Sequence, residues 1–329
     1  MTKILKIFII FSLLGAVVPA RAQGYSISPV NADAVLKTAN IKANVEYLCS
    51  EELGGRATGT EGGRKTAAWL EGNFRVLGLQ PLGGAWLHGF NTSDGLARNV
   101  IGLIPGSANP ARYVVLMAHY DNLGILNGSF YPGADSNASG VAGLLEIAGM
   151  VTRMNTCHKI YRNGLIIVAL DAKEKNQGGA TELWRLISSG KLQDPVSGQP
   201  VSPSQISMVV NLDQIGGTLA PLTEGNSRFL MMLSDEATGR RSSLESVNKG
   251  RGFGLELAYD YYGSKDFTRL FYRRICDQRV FLEHGIPAVM FTSGITLLNN
   301  KPTDIPASLD YDVLHDRIRL IFYWLDRVL

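Results

Sequence analysis

The stretch Ala118–Gly140, AHYDNLGILNGSFYPGADSNASG, sets His119, Asp121 and Asp135 in loops around a strand and a helix. The apolar run Tyr113 to Met117 delivers His119 and Asp121 at its end. The Pro132-Gly133 turn then brings Asp135 to the start of the helical pattern Ala138 to Val151. Imidazole and carboxylate delivered together in this way are zinc-binding chemistry.

Outward from this stretch, strand-like runs alternate with helical patterns. Asn99–Leu103, Leu165–Leu170, Met208–Leu212, Phe229–Leu233 and Ala288–Phe291 are mostly continuous Val, Ile, Leu and Met, as in strands covered on both faces. Helical periodicity fits residues 31–48, 60–77, 179–188, 235–247, 267–274 and 311–328. The alternation predicts an α/β fold with a mixed, mostly parallel central sheet flanked by helices. No linker or repeat divides residues 23–329, which read as one domain. In open sheets ligands gather at the carboxyl ends of the strands. His119 and Asp121 end one strand, Asp171, Lys173 and Glu174 follow the next in VALDAKEKNQGGA, and Asp213 ends a third in VVNLDQIGG. One acid after a strand is ordinarily a cap or turn former. Three such ends with Asp135 close by favour a metal site.

Residues 1–22 read as a signal peptide. Lys3 and Lys6 precede the apolar run Ile7–Val18, and Ala20-Arg21-Ala22 has the small-x-small form of a cleavage site, implying a periplasmic or secreted protein with no stable membrane span after cleavage. Cleavage removes three basic residues and no acid, so the formal charge of +3 falls to zero. That leaves no case for nucleic-acid binding. Cys49, Cys157 and Cys276 form no metal knuckle, and their odd number leaves room for one disulfide beside a free thiol.

The blocks SEELGGRATGTEGGRKTAAWLEGNFRVLGL, NVIGLIPG, VVLMAHYD, PGADSNASGVAGLLEIA, NLDQIGG and FLEHGIPAVMF, in that order, resemble the co-catalytic di-zinc aminopeptidases, metallopeptidase family twenty-eight. The resemblance implies a phosphorylase/hydrolase-like α/β sandwich that trims N-terminal residues from peptides. It makes His119, Asp135, Glu174 and Asp213 metal ligands, with Asp135 bridging two ions, and Asp121 the residue that orients His119.

Two positions depart from that pattern. Lys173 stands where the family carries its general-base Glu, and Asn300 where it carries its last His ligand, ahead of Lys301-Pro302-Thr303-Asp304. The Ser-Asp-His block of the family is reduced to Cys276-Asp277-Gln278. An Asn amide oxygen suits hard cations better than zinc, so one zinc is expected, with the second position weakened or open to calcium or magnesium. A Lys ammonium among carboxylates has no lone pair with which to take a proton from water. The expectation is therefore an exported peptidase-family protein for peptide or peptide-like ligands, its aminopeptidase activity reduced or lost. The alternative is a non-catalytic peptide- or glycan-binding protein on the same fold.

Overall fold

In the computed structural model each apolar run becomes a strand wherever both of its faces find helices to cover them. The structure describes residues 31–109, 111–235 and 239–329; the signal peptide expected over 1–22 lies outside them. The strands are β1 (Gln80–Pro81), β2 (Leu87–Thr92), β3 (Gly95–Ile104), β4 (Tyr113–His119), β5 (Gly124–Leu126), β6 (Ser129–Tyr131), β7 (Gly164–Leu170), β8 (Ile206–Leu212), β9 (Phe229–Ser234), β10 (Glu256–Ala258) and β11 (Ala288–Thr292). The helices are α1 (Thr38–Leu48), α2 (Glu61–Val76), α3 (Gly140–Thr156), α4 (Gly178–Ser188), α5 (Arg240–Gly250), α6 (Lys265–Leu270), α7 (Arg279–Glu283) and α8 (Tyr311–Leu325).

Nine strands form one sheet in the order β1-β3-β7-β4-β8-β11-β9-β10, with β2 also paired to β3. Its centre, β7-β4-β8-β11, is parallel, so the carboxyl ends of these four strands share one edge. Antiparallel pairs lie outside that centre, at β3/β7 and β11/β9. Alternate residues of one strand serve opposite faces. Val114, Leu116 and Ala118 of β4 join α1, α2, α3 and α8 in one core, whereas Val115 and Met117 join α4 and α7 in the other. No helix among the described residues is long and apolar enough to cross a membrane. Cys49, Cys157 and Cys276 are all free thiols.

Several elements differ from the periodicity reading. A wide turn, Ala134–Ser139, precedes α3 and holds Ser136 and Asn137 out of helical dihedrals, so the helix starts at Gly140 rather than Ala138. The stretch between Asp121 and Asp135 is not merely a loop, because β5 and β6 pair as a hairpin. Its turn is Asn127-Gly128, both at positive φ, the pair that a tight hairpin favours. β2 was not apparent because His88, Gly89 and Asn91 break any apolar run along this half-exposed strand.

Candidate functional site

The parallel centre brings the strand ends together. His119, the last residue of β4, is fully buried, and its Nε2 lies 3.6 Å from Asp213 Oδ1 at the end of β8. Its Nδ1 lies 3.1 Å from the main-chain oxygen of Asp121 and 3.7 Å from that residue's carboxylate. The Asp121 carboxylate instead accepts the backbone N–H groups of Lys173 (3.0 Å) and Glu174 (3.1 Å), and so fixes the loop that leaves β7. Lys173 turns its ammonium inward, 3.4 Å from Glu174 Oε1, with only 13% of its side chain exposed. Burial disfavours that ammonium, but the carboxylates of Asp213 and Glu174 foremost more than compensate and hold it charged. Asp213 in turn is held well below the ordinary carboxylate range: burial opposes this, and Lys173 and His119 overcome it. Burial and Lys173 push His119 down, yet Asp121 and Asp213 raise it to about 9.

Asp135 sits in a neighbouring network. Its Oδ1 accepts N–H groups from Gly216 (2.8 Å) and Gly217 (3.0 Å) and the hydroxyl of Ser139 (3.2 Å), while Oδ2 has no partner. A Cβ on Gly217 would lie 2.6 Å from Asp135 Oδ2, so only glycine lets the turn come this close. The Asp304 carboxylate accepts the N–H groups of Asp135 (2.8 Å) and Ser136 (3.0 Å). Burial, reinforced by Asp304, pushes the Asp135 carboxyl up to about 7. Asn137 joins the two networks: its amide donates to the carbonyls of His119 and Leu212 and accepts the N–H of Gln214.

A family model described as Peptidase family M28 matches residues 99–325, more than half of the chain. The chain belongs to peptidase family M28. Among curated relatives, the zebrafish (Danio rerio) BOS complex subunit ncln is 30% identical over 128 residues, 36% of this chain and 21% of that protein. The match thus spans about a fifth of that relative's length. Among solved structures, the LapA aminopeptidase of Legionella pneumophila superposes with a TM-score of 0.68 at 16% identity, covering 90% of this chain and 73% of that one. BSAP, a zinc aminopeptidase from Bacillus subtilis, gives 0.66 at 14% identity, covering 89% and 95%. At these identities the likeness is one of fold.

Zinc is the metal this M28 fold implies, and the donors allow a test of fit. His119 Nε2, both Asp213 oxygens and Asp135 Oδ2 are buried without hydrogen-bond partners among the described residues, as ligand atoms would be. Glu174, however, is turned onto Lys173, and no group of three His, Cys, Asp or Glu side chains among the described residues is arranged to hold an ion. As arranged, the cluster does not fit a resident zinc ion, because an ammonium stands beside the carboxylate expected as third donor.

Beside Lys173 opens a cleft of about 280 Å³ that Glu174, Gln214, Phe271, Cys276 and Asn300 also line. Asn300 is exposed at its rim with φ 55°, a conformation asparagine tolerates. A larger cavity of about 630 Å³ lies along β2 and α4 and is lined by none of the four expected ligands. Asp171 proves structural: it accepts hydrogen bonds from Thr58, Tyr120 and the N–H of Arg98. Trp86 packs on Phe74 in the core, away from the cleft.

Three residues of this M28 site carried no role in the sequence reading. Asp277 is fully buried with both carboxylate oxygens unpartnered, and burial pushes it up to about 7. Its signal was its place in the reduced Cys276-Asp277-Gln278 block. Arg56 donates to the carbonyls of Leu48, Tyr120, Pro132 and Gly133, and Arg317 to those of Ile215, Gly217 and Phe229. Both guanidinium groups are fully buried and tie the site's loops to distant helices. A lone Arg, whether between helical patterns like Arg56 or within one like Arg317, gives no sequence signal for that.

Proposed function

We propose that this M28 protein is exported and receives the end of a peptide or peptide-like ligand in the cleft beside Lys173, with aminopeptidase-type hydrolysis reduced or lost. The observation that carries the reading is the Lys173 ammonium buried against Glu174 at the position of the expected base. Peptide hydrolysis needs a group that takes a proton from the attacking water and returns it to the leaving amine. A cation flanked by carboxylates cannot accept that proton. It serves instead as a fixed counter-charge to Asp213 and Glu174. Export rests on the pattern of residues 1–22, and the mass of protein recovered from cells tests processing after Ala22.

A second reading keeps one zinc on His119, Asp135 and Glu174 and hence a hydrolase. The unpartnered atoms of His119 and Asp135 favour it, but it requires Glu174 to leave Lys173. Elemental analysis and turnover of aminoacyl-anilides by wild type, Lys173→Glu, Asn300→His and the double variant separate the two. Under the first reading, wild type carries less than one zinc per chain and shows no turnover above background, and the double variant gains both. Robust wild-type turnover that a chelator abolishes overturns it.

A further inference from the structure

Away from the site, α1, α2 and α3 enclose a cavity of about 320 Å³, the lower end of the size of small-molecule sites. Among the described residues its one ionisable group is Glu146 of α3, which is only 8% exposed although it forms no ion pair with any of them. Among the described residues the sole side-chain hydrogen bond of its carboxyl group is a long one, 3.5 Å from Asn44 Nδ2. Asn40, Asn44 and Asn73 supply the remaining polar groups, and Val35, Leu77 and Leu145 form apolar walls. Asn73 donates its N–H to the Trp69 carbonyl at 2.9 Å, and its Oδ1 meets no donor among the described residues. Burial alone pushes the Glu146 carboxyl up to about 7, and no neighbouring cation pulls it back. A buried carboxyl with neither a counter-ion nor a good hydrogen bond is costly unless something supplies one.

We propose that this cavity is a second ligand site that binds a primary alkylammonium group. The ammonium presents three donors and no acceptor, which match the Glu146 carboxylate and the Asn amide oxygens. The alkyl stem lies along Val35, Leu77 and Leu145, as Lys stems lie along apolar surface. A bare divalent ion fits less well: calcium takes about six to eight oxygens at short range, and this cavity offers fewer, spread over three helices with apolar walls between them. The ammonium comes either from a free diamine or from a lysine side chain of a peptide. The site shares no residue with the cleft beside Lys173, so its failure and that of the proposed function are separate results.

Calorimetry and thermal shift near neutral pH test it, with cadaverine, Nα-acetyl-lysine amide, 1-pentanol and calcium or magnesium chloride as probes. The expected result is millimolar or tighter binding of one or both amines, none of pentanol, and proton release on binding as Glu146 ionises. Tighter binding of the lysine amide than of the diamine marks a peptide as the source, and the reverse marks a free amine. Glu146→Gln, which mimics the neutral carboxyl, weakens amine binding at least tenfold. Leu77→Trp, which fills the stem space, does the same and keeps the test intact if the Gln variant fails to fold. Absence of amine binding, equal binding by either folded variant, or binding of the divalent ions alone overturns the proposal.

Discussion

Lys173 is the residue on which the chemistry turns, and its environment fixes the cost of removing it. Its ammonium answers Asp213 and Glu174 in a buried setting, so Lys173→Met removes the cation beside Glu174 and leaves Asp213 with His119 alone. Breaking such a pair from one side costs about 3–5 kcal/mol. Urea denaturation near neutral pH is expected to show a loss of that size. The sign with pH follows from Asp213, whose carboxyl is depressed in the fold. Its stabilising contribution is present above the unfolded value near 3.9 and disappears as the pH falls through the depressed one. Wild type therefore loses this contribution only in strong acid, and the difference from Lys173→Met narrows there. The places of His119, Asp121, Asp135, Glu174 and Asp213 after strand ends and a turn were legible in the sequence because strand ends and turns announce themselves by composition. That Lys173 sits 3.4 Å from Glu174 was not, since one side chain's direction leaves no trace in periodicity.

Two elements carry their own tests. The Ile215-Gly216-Gly217 turn brings two N–H groups onto one Asp135 oxygen, at a distance that a methyl group cannot share. Gly217→Ala is expected to displace the Asp135 carboxylate and to cost about 2–3 kcal/mol, read as a lower denaturant midpoint. Helix α3 carries Glu146, whose folded-state value near 7 lies above the unfolded one. Stability from its neutral form is full below about pH 4.5 and is lost as the pH rises through about 7. Glu146→Gln is expected to flatten that fall and to leave the protein about 2–3 kcal/mol more stable than wild type in mild alkali. Denaturant curves across that range check it. The long apolar strands were readable element by element. The hairpin β5–β6 was missed although Asn127-Gly128 signals its turn, because its strands are three residues each and show no usable alternation.

At the scale of the described fold, two buried guanidinium groups connect the loops at the carboxyl edge of the sheet to the helical layers. Arg317 of α8 holds carbonyls of Phe229, Ile215 and Gly217, and its replacement by Met strands all three. A loss of about 3 kcal/mol or more is expected, with Lys a poor substitute because it lacks the planar fork. Thermal and urea unfolding of Arg317→Met and Arg317→Lys measure it. The mostly parallel central sheet, by contrast, followed from alternation and apolar runs, since a parallel centre with both faces covered is the arrangement that buries them. The loop after β7 is held by main-chain groups: the N–H groups of residues 173 and 174 both meet Asp121, whatever side chain position 173 carries. The edge thus keeps its shape independently of the charge at its centre. On such a scaffold the side chain at position 173 is expected to be exchangeable without redirecting the backbone that carries it.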